Sequence, residues 1–362
     1  MSKTDSFDRS VRPATTPIGR TPSDVLFCVP LVFALALAGC GGEAPSTAAE
    51  TTAPAAAAEP PTNVPADTAS EEALDDLEAE VTRMASIGYA SSPTWSPDGS
   101  QVAYITAHEG VPQVWLAAAD GSERQPLTRF PDQVTAVDWQ PVAGPDGGAG
   151  QLAILVAPGG GLNTQIYLMP ADGSGEPRMI TDGGQVNNWL TGWSDDGRYL
   201  TFSSNADGGT GMDCWRHDTE TGENKLVVEN DGIGACGFSP NNEMMMAWRM
   251  ISRGNTDLYL VDLASGEEQL LTPHVGVAIS NEPVWVDDRT ILMATNVDRE
   301  MMSLALVDLD EAGQAGPLMI IAGRDDAELS DVELLADGRV ALFWNVAGRS
   351  ELGYHDLASG ET

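Results

Sequence analysis

A unit of four short strands recurs about every 48 residues along this chain, and that repeat limits the fold more than any other feature. Residues 92–128 hold a complete copy, SPTWSPDGSQVAYITAHEGVPQVWLAAADGSERQPLT. A buried strand around Trp95 runs into a Pro97-Asp98-Gly99 turn, and an alternating strand through Val102 and Tyr104 follows. A third strand over 114–118 turns at Asp120-Gly121 into a short last strand that ends at Leu127-Thr128. Asp-Gly between apolar runs marks a tight turn, because glycine takes positive φ without a Cβ clash. One such sheet cannot bury both of its faces, so it needs neighbours like itself.

The chain supplies them. The inner-strand apolar position aligns as Trp95, Trp139, Trp193, Phe238, Trp285 and Leu335. Turn signals follow at Asp98-Gly99, Asp146-Gly147, Asp196-Gly197, Asn241-Asn242, Asp287-Asp288 and Asp337-Gly338. A third strand with a polar tail recurs as QVWLAAADGS, QIYLMPADGS, DCWRHDTETG, DLYLVDLASG, SLALVDLDEA and ELGYHDLASG, and a closing strand as QPLT, RMIT, KLVV, QLLT and LMII. This tetrad predicts an all-β fold, a β-propeller of about six visible four-stranded blades over 89–362. The sixth blade is incomplete, because Asp356-Leu357-Ala358-Ser359-Gly360-Glu361 repeats 262–267 and no closing strand follows. Either a strand near Tyr89 closes the ring or the natural chain is longer, and the expectation here is the longer chain.

The N-terminus reads as an export signal. Lys3, Arg9, Arg12 and Arg20 precede an apolar run over 25–39 that is short for a membrane span. Its end, Leu37-Ala38-Gly39-Cys40, resembles the lipobox of bacterial lipoproteins. That resemblance implies a signal peptide over 1–39, lipidation of Cys40, and a membrane-anchored protein in the extracytoplasmic cell envelope. The alternative is an ordinary signal peptide with an incidental cysteine. Residues 40–70 are Ala, Pro, Thr and Glu with few large apolar side chains, a composition that predicts a disordered linker. Residues 71–88 form a helical lead-in, with Leu74, Leu77, Val81 and Met84 on one face.

Charge and cysteine usage narrow the function. The balance of 54 acidic to 18 basic residues gives a net charge of -36, and Lys3 and Lys225 are the only lysines. Such a chain is repelled by phosphate backbones, so nucleic acid is not an expected partner. Of the four cysteines, Cys28 leaves with the signal and Cys40 carries the lipid, which leaves Cys214 and Cys236. Export permits a disulfide between these two; the alternative is a pair of buried free thiols in neighbouring blades.

The Ser96-Pro97-Asp98-Gly99 turn and the stretch LYLVDLASGE over 258–267 resemble two families. One is the TolB-type propellers of the bacterial envelope. The other is the N-terminal propeller of prolyl oligopeptidase family serine peptidases, to which residues 271–310 and 192–209 are more similar. In those peptidases the propeller gates access to a C-terminal hydrolase domain whose serine sits on a Gly-x-Ser-x-Gly elbow. Here Gly192-Trp193-Ser194-Asp195-Asp196 and Gly237-Phe238-Ser239-Pro240-Asn241 lack the second glycine and fall in blade strands. His108, His217, His274 and His355 are scattered singly, without a triad pattern. The glutamate pair with which dipeptidyl peptidases hold a substrate has no counterpart, since Glu71-Glu72 precedes the propeller. Residues 205–209 read as a polar hairpin, 158–161 as a loop, and Met244-Met245-Met246 as strand packing. No catalytic residue, metal or cofactor is therefore expected of this chain. The resemblance implies a noncatalytic, extracytoplasmic propeller like the substrate-gating domain of a prolyl oligopeptidase-type serine peptidase, without the hydrolase domain. The alternative is a self-contained TolB-like envelope propeller lipoprotein, so the partners are the membrane and either a peptidase domain or an envelope protein.

Overall fold

The computed structural model describes residues 88–144, 148–230 and 232–362. The leader, Cys28, Cys40, the linker, the lead-in through residue 87 and the Asp146-Gly147 turn lie outside the described residues. Six antiparallel sheets follow one another, and in each the strands pair in sequence order. Blade 1 holds β1 (Ala90–Trp95), β2 (Gln101–Thr106), β3 (Gln113–Ala118) and β4 (Gln125–Pro126). Blade 2 holds β5 (Gln133–Trp139), β6 (Gln151–Ala157), β7 (Gln165–Pro170) and β8 (Arg178–Met179). Blade 3 holds β9 (Asn188–Trp193), β10 (Tyr199–Ser204), β11 (Asp213–Asp218) and β12 (Asn224–Val228). Blade 4 holds β13 (Ile233–Phe238), β14 (Met244–Ser252), β15 (Asn255–Asp262) and β16 (Glu268–Leu270). Blade 5 holds β17 (Ser280–Trp285), β18 (Thr290–Thr295), β19 (Ser303–Asp308) and β20 (Met319–Ala322). Blade 6 has β21 (Glu328–Leu334), β22 (Arg339–Val346) and β23 (Arg349–Asp356), without a fourth strand among the described residues. The expected propeller is the observed one. No helix among the described residues is long and apolar enough to cross a membrane.

Blades 2 to 5 are each held by apolar side chains that alternate between two neighbours. In β6 the sequence QLAILVA is buried almost throughout, as a strand covered on both faces must be. Leu152, Ile154 and Val156 pack on Ala103, Ile105, Val114 and Leu116 of blade 1, while Ala153 and Leu155 pack on Trp193, Leu200 and Phe202 of blade 3. The same alternation builds the junctions of blades 3 with 4, 4 with 5 and 5 with 6. In blade 6, Val340, Leu342 and Trp344 face blade 5. The opposite face carries Leu352 and Tyr354, which are 55% and 42% exposed.

Two sequence expectations need correction. The inner strand of blade 6 ends at Leu334, one residue before the aligned Leu335. The Leu335 N–H bonds the Arg339 carbonyl, as Ser96 bonds Gln101, so Leu335 belongs to the turn. Trp95 is not a core residue either: it is 44% exposed, against 3% for Trp139 and 4% for Trp193. Its neighbour across the sheet is Val102, on the face of blade 1 turned away from blade 2. Nor does the chain beside Tyr89 close the sixth blade. It enters β1, which pairs with β2 as the inner strand of blade 1.

The closing strands explain their recurrent threonine. Thr128, Thr181 and Thr272 are buried, and each hydroxyl accepts the N–H of a third-strand residue: Val114 at 2.9 Å, Ile166 at 3.1 Å and Leu258 at 3.1 Å. The hydroxyl takes over a ladder bond where the two-residue strand runs out, so the buried N–H is not orphaned.

Candidate functional site

The turn serines are structural. Ser194 is fully buried; its Oγ donates to Asp196 at 2.7 Å and accepts the Tyr199 N–H at 2.9 Å. Ser96 and Ser239 repeat the arrangement with Asp98 and Asn241. The bonds from Ser96 and Ser100 hold the exposed Asp98 carboxyl down at about 2. The following glycine is needed for shape: Gly197 has φ 68°, and a Cβ there would meet Val142 at 2.5 Å. Its carbonyl accepts from the Gln140 side chain at 2.7 Å, which fastens the turn to blade 2. Ser194→Ala should therefore lower stability by about 1 kcal/mol, read as a lower urea midpoint, because the half-buried Tyr199 N–H loses its acceptor. No change in midpoint would remove the structural role assigned to the hydroxyl.

The four histidines stay apart. His108 is exposed and sets its ring edge-on to Trp115, with centroids 5.6 Å apart. His217 is buried in β11 and bonded to Asn224 at 2.7 Å, and burial lowers its pKa. His274 lies in the loop after β16, held by the Thr272 carbonyl and Asn255, both at 2.9 Å. His355 is buried in β23 against the Thr362 hydroxyl at 2.7 Å. Residues 205–209 do form a hairpin, 158–161 a turn between β6 and β7, and Met245 and Met246 pack as buried strand residues.

Two features were not legible in the motifs. The first is a pair of carboxyls on the inner strands of blades 5 and 6. Glu282 sits in a bulge of β17, at φ 49° before Pro283. Ser92 before Pro93 has the same bulge and the same φ in β1. Non-glycine residues rarely adopt this conformation. Burial pushes the Glu282 carboxyl up to about 8, and the charge of Asp331 adds to the effect. Asp331 lies at the bulge of β21, is also raised by burial, and accepts the Val332 N–H at 2.8 Å. At neutral pH Glu282 thus keeps its proton and is able to donate a hydrogen bond, with the Asp331 carboxyl nearby.

The second is a groove of about 820 Å³ at the junction of blades 3 and 4. Its lips are Ile233 and Ile251, 39% and 57% exposed. Val228 and Val261 line it and belong to the buried cluster behind it. Arg249 crosses the groove over the Tyr259 ring, 4.4 Å from its centre, and bonds both Glu268 oxygens at 2.7 Å and Asn230 at 2.7 Å. The guanidinium is fully engaged, and the cleft has a mixed lining, apolar at the Ile233 and Ile251 lips and polar at Glu229, Arg249 and Glu268. Sequence alone hides this site, since its residues come from β12, β13, β14, β15, β16 and the loops between them.

Residues 79–213 match the PD40 family, the TolB beta propeller domain. That match covers little more than a third of the chain, and over it the repeats are similar to those of the TolB-type propeller. The Tol-Pal system protein TolB of Bordetella avium (strain 197N) is 33% identical over 90 residues, 25% of this chain and 19% of that protein. TolB of Bordetella pertussis is 30% identical over 127 residues, 34% of this chain and 27% of that protein. The TolB-type match thus spans only about a fifth to a quarter of these curated relatives. Among solved structures, a prolyl endopeptidase superposes with a TM-score of 0.58 at 14% identity, over 82% of this chain and 48% of that one. A Mycobacterium tuberculosis puromycin-hydrolyzing peptidase does so with 0.58 at 13% identity, over 76% and 45%. At such identities the likeness is one of fold alone.

Proposed function

We propose that this chain is a noncatalytic, extracytoplasmic propeller that is anchored through a lipid on Cys40 and works by binding an envelope protein. The observation that carries the reading is the TolB-type identity of its repeats at the level of sequence, 33% over 90 residues. It is supported by the lipobox-like Leu37-Ala38-Gly39-Cys40 and by turn serines whose hydroxyls are already spent on their own backbone. The groove between blades 3 and 4, with apolar lips and a polar lining, is the candidate surface for such binding. A second reading, the gating propeller of a prolyl oligopeptidase-type peptidase, is favoured by the peptidase-like stretches over 192–209 and 271–310. In that case the partner is a hydrolase domain.

Two measurements test the proposal. Cys40→Ala should move the protein from the membrane fraction to the soluble one, and continued sedimentation with membranes would refute the lipid anchor. A serine-reactive fluorophosphonate should leave the chain unlabelled, and labelling would overturn the noncatalytic reading.

A further inference from the structure

Cys214 lies in β11 of blade 3 and Cys236 in β13 of blade 4, and both side chains are wholly buried. They belong to one apolar cluster at the blade junction, with Val228, Phe238, Met245, Ala247 and Val261 around them. Both are free thiols in the structure, brought into that one cluster by the packing of blade 3 on blade 4. The Asn230 amide stands 3.7 Å from the Cys214 sulfur. Once Cys28 and Cys40 are assigned to the leader and its lipid, these are the two thiols left to the propeller.

We infer that Cys214 and Cys236 are a cystine-forming pair, joined when a disulfide oxidant is present while blades 3 and 4 dock. The step exchanges thiols for disulfides: two thiols lose two protons and two electrons to a disulfide such as oxidised glutathione. One sulfur–sulfur bond forms in the protein, and two reduced glutathione thiols are released. The timing follows from burial. Exchange needs a thiolate that the oxidant can reach, and in the folded state the pair is closed off and burial holds the Cys236 thiol well above its ordinary pKa. The bond is therefore made before the junction closes and is shielded from reductants afterwards. It links the third strand of one blade to the inner strand of the next, across a loop of ~20 residues. It also braces the floor of the groove, since Val228 and Val261 line the groove and pack in the same cluster. That an oxidant is met in the cell rests on the export reading above; that the pair oxidises when it meets one does not.

The test separates the two. The full chain is unfolded and refolded either with a glutathione redox buffer or with dithiothreitol, then blocked with N-ethylmaleimide under denaturing conditions and read by peptide mapping. The expected result is a Cys214–Cys236 linked peptide from the oxidised sample, whose melting temperature lies several degrees above that of the reduced one. A Cys214→Ala, Cys236→Ala double variant should lose that difference; if it fails to fold, the Cys236→Ser single variant serves. Recovery of both cysteines as maleimide adducts after oxidative refolding would overturn the proposal. The same mapping on protein acid-trapped in cells addresses export: free thiols there, with a linked peptide in vitro, would refute export and leave the pair standing.

Discussion

Replacing Trp139 with alanine is expected to cost about 4 kcal/mol, while the same change at Trp95 costs less than about 1 kcal/mol. The two residues hold the same place in the repeat, each at the end of an inner strand. Trp139 is buried between blades 1 and 2 among Val137, Leu152, Ile154 and Met169, and its indole N–H donates to the Ala149 carbonyl at 2.7 Å. Truncation leaves a cavity in a junction that cannot collapse, and it orphans that carbonyl. Against a total stability of about 5–15 kcal/mol, such a loss would be plain in a urea titration as a shifted midpoint. Trp95 projects from the uncovered face of blade 1 and leaves no cavity when cut back. Equal losses at the two positions would mean that Trp95 is covered in solution.

Glu282→Gln should stabilise the propeller above neutral pH and leave it unchanged in acid. The carboxyl titrates at about 8 in the folded protein against an ordinary 4.5, chiefly because it is buried and further because Asp331 is charged. Between those values the folded state keeps a proton that the unfolded chain has lost. Stability contributed at this site therefore falls as pH rises through that window and levels off above it. The full shift would correspond to roughly 5 kcal/mol, and partial solvent screening brings the expected effect to about 2 kcal/mol. Glutamine matches the neutral acid in shape and cannot ionise, so the variant's stability should be flatter with pH. The measurement is the difference in urea midpoint between variant and parent at about pH 5 and about pH 9, which cancels the other carboxylates. A constant difference across that range would show that Glu282 ionises normally.

Much of the fold was legible because a propeller writes itself into sequence several times. Ser96-Pro97-Asp98-Gly99 and Leu127-Thr128 recur in other blades because each solves the same local problem, a tight turn or a closing ladder bond. The candidate sites were less legible for the converse reason. Glu282 differs from Ser92 at one repeat position, and nothing in Asn281-Glu282-Pro283 announces that the carboxyl is enclosed or that Asp331 of the next blade lies near it. The groove is assembled from segments separated by turns, and Arg249 meets Glu268 only through the pairing of β14 with β15 and β15 with β16.

The sequence by itself determined the all-β class, the six visible propeller repeats and the order of strands within them. These follow from alternation and turn chemistry, which act over a few residues and need no knowledge of distant neighbours. Only the tertiary structure decided which repeat positions are core. Trp95 and Trp139 read alike until the blades are placed side by side, and Cys214 and Cys236 become a pair only when blade 3 packs on blade 4. Burial and proximity are properties of the junctions between repeats, and a junction is written in no single repeat.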